Sequence, residues 1–482
     1  MEVISKKYVE DELKRYQCPG MGVGVIQNGE ILFCGGFGYK NLEEKSVIDG
    51  DTLWPIASCS KSFTSTLIGM LVDDGILDFD RPVKEYVPDF QMYDPVATQQ
   101  CTLRDMLCHR TGMASYDAVW SDEATESRAV IWERLRYLKP NRPFRSSAQY
   151  NNLMVDMAAH VAEKVTGRSW DDLVRERVFK PLHMDRTSTT IAELREDDKA
   201  ATPYWLGEDG PFPVTPWNVD LGGPAGGINS TLEDMLKYLQ FHIEEGKVDG
   251  RQLMKPETLW DIHTTNMRYK LWPWKFEENA PIGGYAMGWY NDVYRGNPMY
   301  WHLGEIEGFG TMQVVVPRKK LGIIVFNNLH LPDILIQCSV VYTIIDNLLG
   351  LEPIDWPEKM WEQRFNKGNM LGEWFYDFLG DKKVEGTQLS HPLDAYVGEY
   401  FEPGHGPLSI VRNGDALECH FRGFVHKMEH FHYDVFRLRD IKMDTVLITT
   451  SLAFRTNAFD GSIDCLDFLL YDDLEPICFK RK

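Results

Sequence analysis

Strand-type patterns stand at both ends of residues 1–350 with a long helix-type stretch between them, and no other feature restricts the fold as much. Residues 21–26 and 31–39 are apolar runs separated around Asn28-Gly29, a dipeptide whose positive φ values suit a two-residue hairpin turn. Residues 312–316 and 321–326 are β-branched runs joined by 317–320, which predicts a second hairpin. The sheet therefore takes strands from both ends of the region. Between them, Phe63, Leu67, Met70 and Leu71 recur at helical spacing over 60–73, and Asp74-Gly75 ends the run. Thr102 followed by Asp105 has the form of a capping box and opens a short helix ending near His109, before Gly112. A largely helical stretch runs on to about Ile243, and a helix over 334–349 closes the region. The expected class is α+β, an antiparallel sheet flanked by helices.

Residues 393–482 read differently. Short apolar runs alternate with turn signals at Pro403-Gly404, Asn413-Gly414, Arg422-Gly423 and Asp460-Gly461, the pattern of a small all-β sandwich or barrel. Residues 351–392, carrying Trp356, Trp361, Trp374 and Phe375, form a connector with apolar surface to bury. The expected units are thus 1–350, 351–392 and 393–482. With 482 residues and 43% hydrophobic content, material for a large core is ample. No fixed-period repeat is visible, which removes solenoid folds.

Charge narrows the partners. A formal net charge of -21 with dispersed Lys and Arg argues against nucleic-acid binding and against an anchor on anionic lipid. The apolar stretch 334–349 is interrupted by Gln337, Ser339, Thr343, Asp346 and Asn347, so no membrane span is expected. Residues 1–16 are charged and do not read as a secretory signal. Nine scattered cysteines without CxxC spacing suit a reducing compartment, and cytoplasm is the expected location.

Three clusters carry chemistry. In Ser58-Cys59-Ser60-Lys61 a hydroxyl and an amine lie three positions apart, on one face of adjacent helical turns, where they can share a proton. A serine becomes a nucleophile when a neighbour removes its proton, and the helix amino terminus favours the negative charge that develops. Such a spacing arises by chance in many long chains, but here Trp54-Pro55-Ile56-Ala57 leads into it and a core-facing helix follows. Tyr150-Asn151-Asn152 supplies a phenol that can pass a proton and an amide that can orient a lysine and a substrate carbonyl. In His302-Leu303-Gly304-Glu305 the glycine admits substrate backbone to a strand edge, and the Glu305 amide can join that of Ser58 as an oxyanion hole.

In order and spacing these motifs resemble the SxxK, YxN and KTG or HxG signature of the serine β-lactamase and penicillin-binding-protein superfamily. The chain looks most like class C β-lactamase-related esterases and D-aminopeptidases, which carry His in the third motif. Segments 19–21, 102–113, 143–145, 167–170 and 226–227 share the likeness, which spans about 19–350. Residues 396–400 resemble the lipocalin-like barrel that some of these hydrolases append. The resemblance implies a β-lactamase/transpeptidase-like sheet, an acyl-enzyme on Ser58, Lys61 as base, Tyr150 as proton shuttle, Asn152 orienting Lys61 and the substrate amide, and His302, Gly304 and Glu305 along the cleft.

His in place of Lys removes a permanent cation for a substrate carboxylate, so penicillins are expected to be poor substrates and neutral or amino-bearing ones preferred, with Glu305 adding negative charge. Three functions remain open: a hydrolase of small-molecule or peptide esters or amides, an acyltransferase or peptide cyclase using the same acyl-enzyme, and a binding protein that has lost turnover. No cofactor or metal is implied: His430 and His432 alternate on one strand face with His426, Glu429 and Asp434 near, but without cysteine ligands or a defined third partner they read as a solvated or cleft-lining face rather than a metal site. Cys59 reads as a buried small residue, and His109 as a helix-terminal structural histidine rather than a second base. The barrel caps the cleft, selects substrates or builds a homo-oligomer.

Overall fold

The computed structural model describes residues 3–120, 127–216, 218–269, 283–330, 335–363, 375–377, 382–443, 446–471 and 473–482. Asn28 and Gly29 take φ values of 53° and 83° and turn the chain between β1 (Gly20–Gln27) and β2 (Glu30–Asn41), the predicted first hairpin. Beyond β3 (Ser46–Val47), the remaining strands of this sheet come from the far end of the region: β4 (Met267–Arg268), β5 (Gly284–Tyr285), β6 (Tyr290–Tyr294), β7 (Asn297–Ile306), β8 (Phe309–Val316) and β9 (Leu321–Asn327). The order is β4-β5-β6-β7-β8-β9-β1-β2-β3, antiparallel throughout, with Met21 opposite Asn327 where the two ends meet.

β8 and β9 are buried along their whole length because helices cover both faces. Met312, Val314, Ile323 and Val325 face α1 (Lys6–Tyr16) and a helix near the end of the region, Leu335–Leu349. Val315, Ile324 and Phe326 face the other layer, which holds α2 (Ser60–Asp73), α3 (Leu103–Leu107), α4 (Asn152–Thr166) and α5 (Leu232–Ile243). The period-two alternation of the strands thus separates two apolar layers. The capping box forms as predicted, Asp105 N–H donating to Thr102 Oγ1 at 3.2 Å and Thr102 N–H to Asp105 Oδ2 at 2.9 Å. Its helix stops at Leu107, two residues short of the expectation, because His109 turns left-handed at φ 57°. The middle is not all helical. Tyr204–Gly207 and Gly210–Pro213 pair as a hairpin, too short and too rich in proline to show a strand period in sequence.

The carboxy-terminal unit is a closed barrel of eight antiparallel strands, from Gly398–Glu402 to Ile477–Arg481, sealed where Tyr400 lies opposite Arg481. Leu408, Ile410, Leu417, Phe421, Phe436, Phe454, Phe468 and Phe479 are buried, so side chains fill the barrel. Gly414, Gly423 and Gly461 have φ values of 61°, 82° and 74° at the predicted turns. The barrel packs on the helical layer: the Tyr116 and Tyr471 rings meet edge-on at 5.3 Å, and Asn141 Nδ2 donates to Asp473 Oδ2 at 2.6 Å. In the connector, Trp356 is buried and donates to Asp346 at 2.9 Å, and Trp361 meets Tyr16 at 5.2 Å; Trp374 lies outside the described residues. Among the described residues no helix is long and apolar enough to cross a membrane.

Candidate active site

Trp54–Pro55 pairs with Asn229–Ser230, and the Ile56 N–H donates to Ile228 O at 2.9 Å. Ala57 then adopts φ 46°, a left-handed turn that costs a non-glycine residue about 1 kcal/mol or more. That turn throws half-buried Ser58 onto a 3-10 segment, Ala57–Cys59, which runs straight into α2. β7 is pressed against the same turn. A Cβ on Gly304 would lie 2.2 Å from Ile56 O, and the Cys59 thiol donates to His302 O at 3.4 Å. β6 pairs with β7 only as far as Trp301, so residues 302–306 pair with β8 on one side and, among the described residues, keep the other edge clear of a strand partner. A small apolar depression opens beside it, lined by Pro55, Gly226, Gly227, Ile306 and Phe309 among others.

Lys61 follows one turn after Ser58 and is fully buried. Its Nζ donates to Ser58 Oγ at 2.9 Å and to Ala225 O at 2.8 Å, and lies 4.8 Å from the centre of the Tyr150 ring. Tyr150 is delivered by the capping residue behind it. Asn151 Oδ1 accepts from the Met154 N–H at 2.8 Å at the start of α4, while its Nδ2 donates to Ala114 O. Asn152, the first residue of that helix, is buried.

The third motif is closed from behind. His302 is only 1% exposed, so its ring backs Tyr150 (6.2 Å between ring centres) instead of lining an open cleft as expected. Its Nδ1 donates to Leu303 O at 2.5 Å and its Nε2 accepts from the Tyr285 hydroxyl at 2.9 Å. Burial, reinforced by the Lys61 charge, pulls its pKa down to about 3. The imidazole is locked neutral with both nitrogens engaged, and no cation stands in this position. Glu305 is partly exposed, with His330 Nδ1 at 3.9 Å, and His330 stacks on Trp205.

Two groups named in the sequence for local roles also stand at the site. His109, just past the helix end as expected, places its ring 4.5 Å from those of both Tyr150 and Tyr285. Its Nδ1 accepts the Asn151 N–H at 3.2 Å, and burial together with Lys61 and His302 holds its pKa well below the usual imidazole range. Asp105 fixes the surrounding loop by accepting from Arg110 at 2.5 Å and Arg145 at 2.7 Å. The signal was present in position alone, between the first two motifs. His430 and His432 are engaged by backbone groups, Tyr433 O and the Val384 N–H, and among the described residues no group of three His, Cys, Asp or Glu could hold a metal.

A family model described as Beta-lactamase matches residues 6–333, more than half of the chain. The chain belongs to the β-lactamase family. A second model, a domain of unknown function termed DUF3471, matches residues 382–468 and so falls largely on the barrel. Among curated proteins, an unguisins hydrolase of Aspergillus campestris is 26% identical over 84% of this chain and 76% of its own length. The protein flp of Staphylococcus aureus is 25% identical over 67% of this chain and 62% of its own. Among solved structures, an octameric penicillin-binding protein homologue from Pyrococcus abyssi covers 98% of this chain and 99% of its own at TM-score 0.61 and 20% identity. A class C β-lactamase from Rhodobacter sphaeroides covers 71% and 99% at TM-score 0.58 and 21% identity. This is a β-lactamase-related serine hydrolase family member with a separate closed barrel.

Proposed function

We propose that the chain cleaves ester or amide bonds of neutral or amino-bearing small molecules or peptides through an acyl-enzyme on Ser58. The observation that carries this reading is the buried Lys61 amine, held 2.9 Å from Ser58 Oγ by the Ala225 carbonyl and the Tyr150 ring. An amine fixed there can take the hydroxyl proton as the oxygen attacks. Tyr150, beside the same amine, then relays the proton to the leaving group, and Asn152 orients Lys61 and the substrate amide. The carbonyl oxygen lies between the Ser58 and Glu305 amides, a pairing supported by the close approach of Gly304 to the nucleophile turn. Neutral His302 offers a substrate carboxylate no partner, while Glu305 attracts an amine. The likeness to an unguisins hydrolase supports hydrolysis as the reaction.

All nine cysteines are free, which supports a reducing, cytoplasmic setting, and the octameric homologue supports a homo-oligomer. The test is incubation with a fluorophosphonate, followed by mass spectrometry. An adduct on Ser58 that is absent from Ser58→Ala is expected, and a chain that never labels is not this enzyme. Product partition with and without added amines or alcohols then separates hydrolysis from acyl transfer.

A further inference from the structure

Behind Lys61 sits a buried acid that the acyl-transfer scheme does not use. Asp156 lies one turn after Asn152 on α4 and is 1% exposed. Its Oδ1 accepts the Ala225 N–H at 3.0 Å, and the Ala225 carbonyl accepts from Lys61 at 2.8 Å. From α2, Thr64 Oγ1 donates to Pro224 O at 2.8 Å, so the short Gly223–Gly226 helix is tied to both helices that carry the first two motifs. The other carboxyl oxygen, Oδ2, is buried with no hydrogen-bond partner among the described residues. An acid kept only to hold the loop would be replaced at no loss by an amide, and an orphaned carboxyl oxygen costs stability.

We propose that Asp156 is a positioning residue for the reaction at Ser58, aiming the Ala225 carbonyl at Lys61 and placing a negative charge behind the base. The inference rests on the acyl-enzyme reading above.

The charged groups facing Asp156 are Lys61 from α2, Arg128 from the helix Arg128–Arg134 and Glu163 from its own helix. Arg128 is already held by Glu163 at 2.7 Å and by Asp171 at 3.5 Å, and Glu163 also takes His160 at 2.7 Å. Arg128 therefore does not neutralise Asp156 by direct contact. Burial pushes the Asp156 carboxyl up to about 7, against the pull of Arg128 and Lys61. Near neutrality the acid thus changes charge, and its anion favours the ammonium form of Lys61. Asp156 and Lys61 interact electrostatically, so removing that charge lets Lys61 release its proton at lower pH, by about one pH unit.

Asp156→Asn keeps an acceptor for the Ala225 N–H and removes the charge, while Asp156→Ala removes both. Steady-state rates on a neutral aryl ester are measured across pH, with thermal unfolding alongside and Ser58 labelling of the wild type scored first. The expected result for Asp156→Asn is an unchanged or raised Tm, KM within about twofold, and an acidic limb of kcat/KM moved about one pH unit lower. Asp156→Ala loses about tenfold in kcat as the carbonyl is freed. A labelled wild type whose profile superimposes on that of Asp156→Asn overturns the role of Asp156 and leaves the acyl-enzyme standing. A wild type that never labels overturns both. Should Asp156→Ala fail to fold, the Asn variant decides alone.

Discussion

Gly304→Ala tests whether the site depends on the contact between β7 and the nucleophile turn. The added Cβ would sit 2.2 Å from Ile56 O, 3.1 Å from Ile56 C and 3.2 Å from Ala57 Cβ. Ordinary contact with the carbonyl oxygen requires the strand and the turn to part by about 1 Å, and a misplacement of that size costs about 100-fold when it falls on reacting groups. Here it falls on the peptides flanking Ser58 and Glu305, so kcat/KM on a neutral aryl ester should drop about 100-fold. Overpacking of the buried strand should cost about 1–3 kcal/mol of stability. Gly35→Ala on β2 is the control: its nearest neighbour would be a Phe33 ring atom at 3.8 Å, and both rate and stability should stay near wild type. The assay pairs steady-state kinetics with thermal unfolding. A Gly304→Ala protein that is destabilised but keeps kcat/KM within twofold of wild type would refute the reasoning, because the turn and strand could then separate without disturbing the chemistry.

Acid should destabilise the fold through its neutral buried imidazoles. His263 and His302 are held down to about 3 against an ordinary 6.5, so the unfolded chain binds their protons first. Their stabilisation is whole above 6.5 and is lost as pH falls towards 3, at about 1.4 kcal/mol per group per pH unit; in urea titrations His263→Gln should flatten the slope by one group. Asn141 joins the barrel to the second motif, accepting from Gln149 Nε2 at 2.8 Å while donating to Asp473 at 2.6 Å, so Asn141→Ala should lower kcat/KM by about threefold to tenfold with little change in Tm. An unaltered rate would mean that this contact only docks the barrel. Glu305→Gln should narrow the preference for cationic over anionic esters by about fivefold, and an unchanged ranking in a paired-substrate assay would sink the charge argument.

The parts of this molecule that were legible beforehand are those set by local pattern. Asn28-Gly29 turned as a hairpin, Thr102 and Asp105 closed a capping box, and the barrel turns fell at their glycines, because each depends on residues a few positions apart. Ser58 and Lys61 were readable for the same reason, being one helical turn apart. Tyr285, His109 and Ala225 were not. Each reaches the site through a partner distant in sequence, and nothing in a periodicity says which carbonyl will receive the Lys61 proton or which hydroxyl will occupy the His302 ring. The His302 reading failed in its environment: a histidine on a strand carries no mark of whether the strand end is open, and here Tyr285 closes it.

Several groups around the site share one physical feature. Ala57 is held left-handed, and a nitrogen of His109 and an oxygen of Asp156 are buried with no hydrogen-bond partner among the described residues. All three lie around Ser58 and Lys61, and each makes the folded state less stable than a simpler choice would. Large cores on both sides of the sheet supply the surplus that tolerates them. The consequence is directional: substitutions that relieve one of these strains should raise stability and alter the rate or its pH profile together, whereas a stabilising change in the barrel interior should leave both alone. Asp156→Asn is the sharpest case, since it removes a buried charge without altering shape: stability should hold or rise while the acidic limb of kcat/KM moves, and that pairing separates a residue kept for folding from one kept for the reaction.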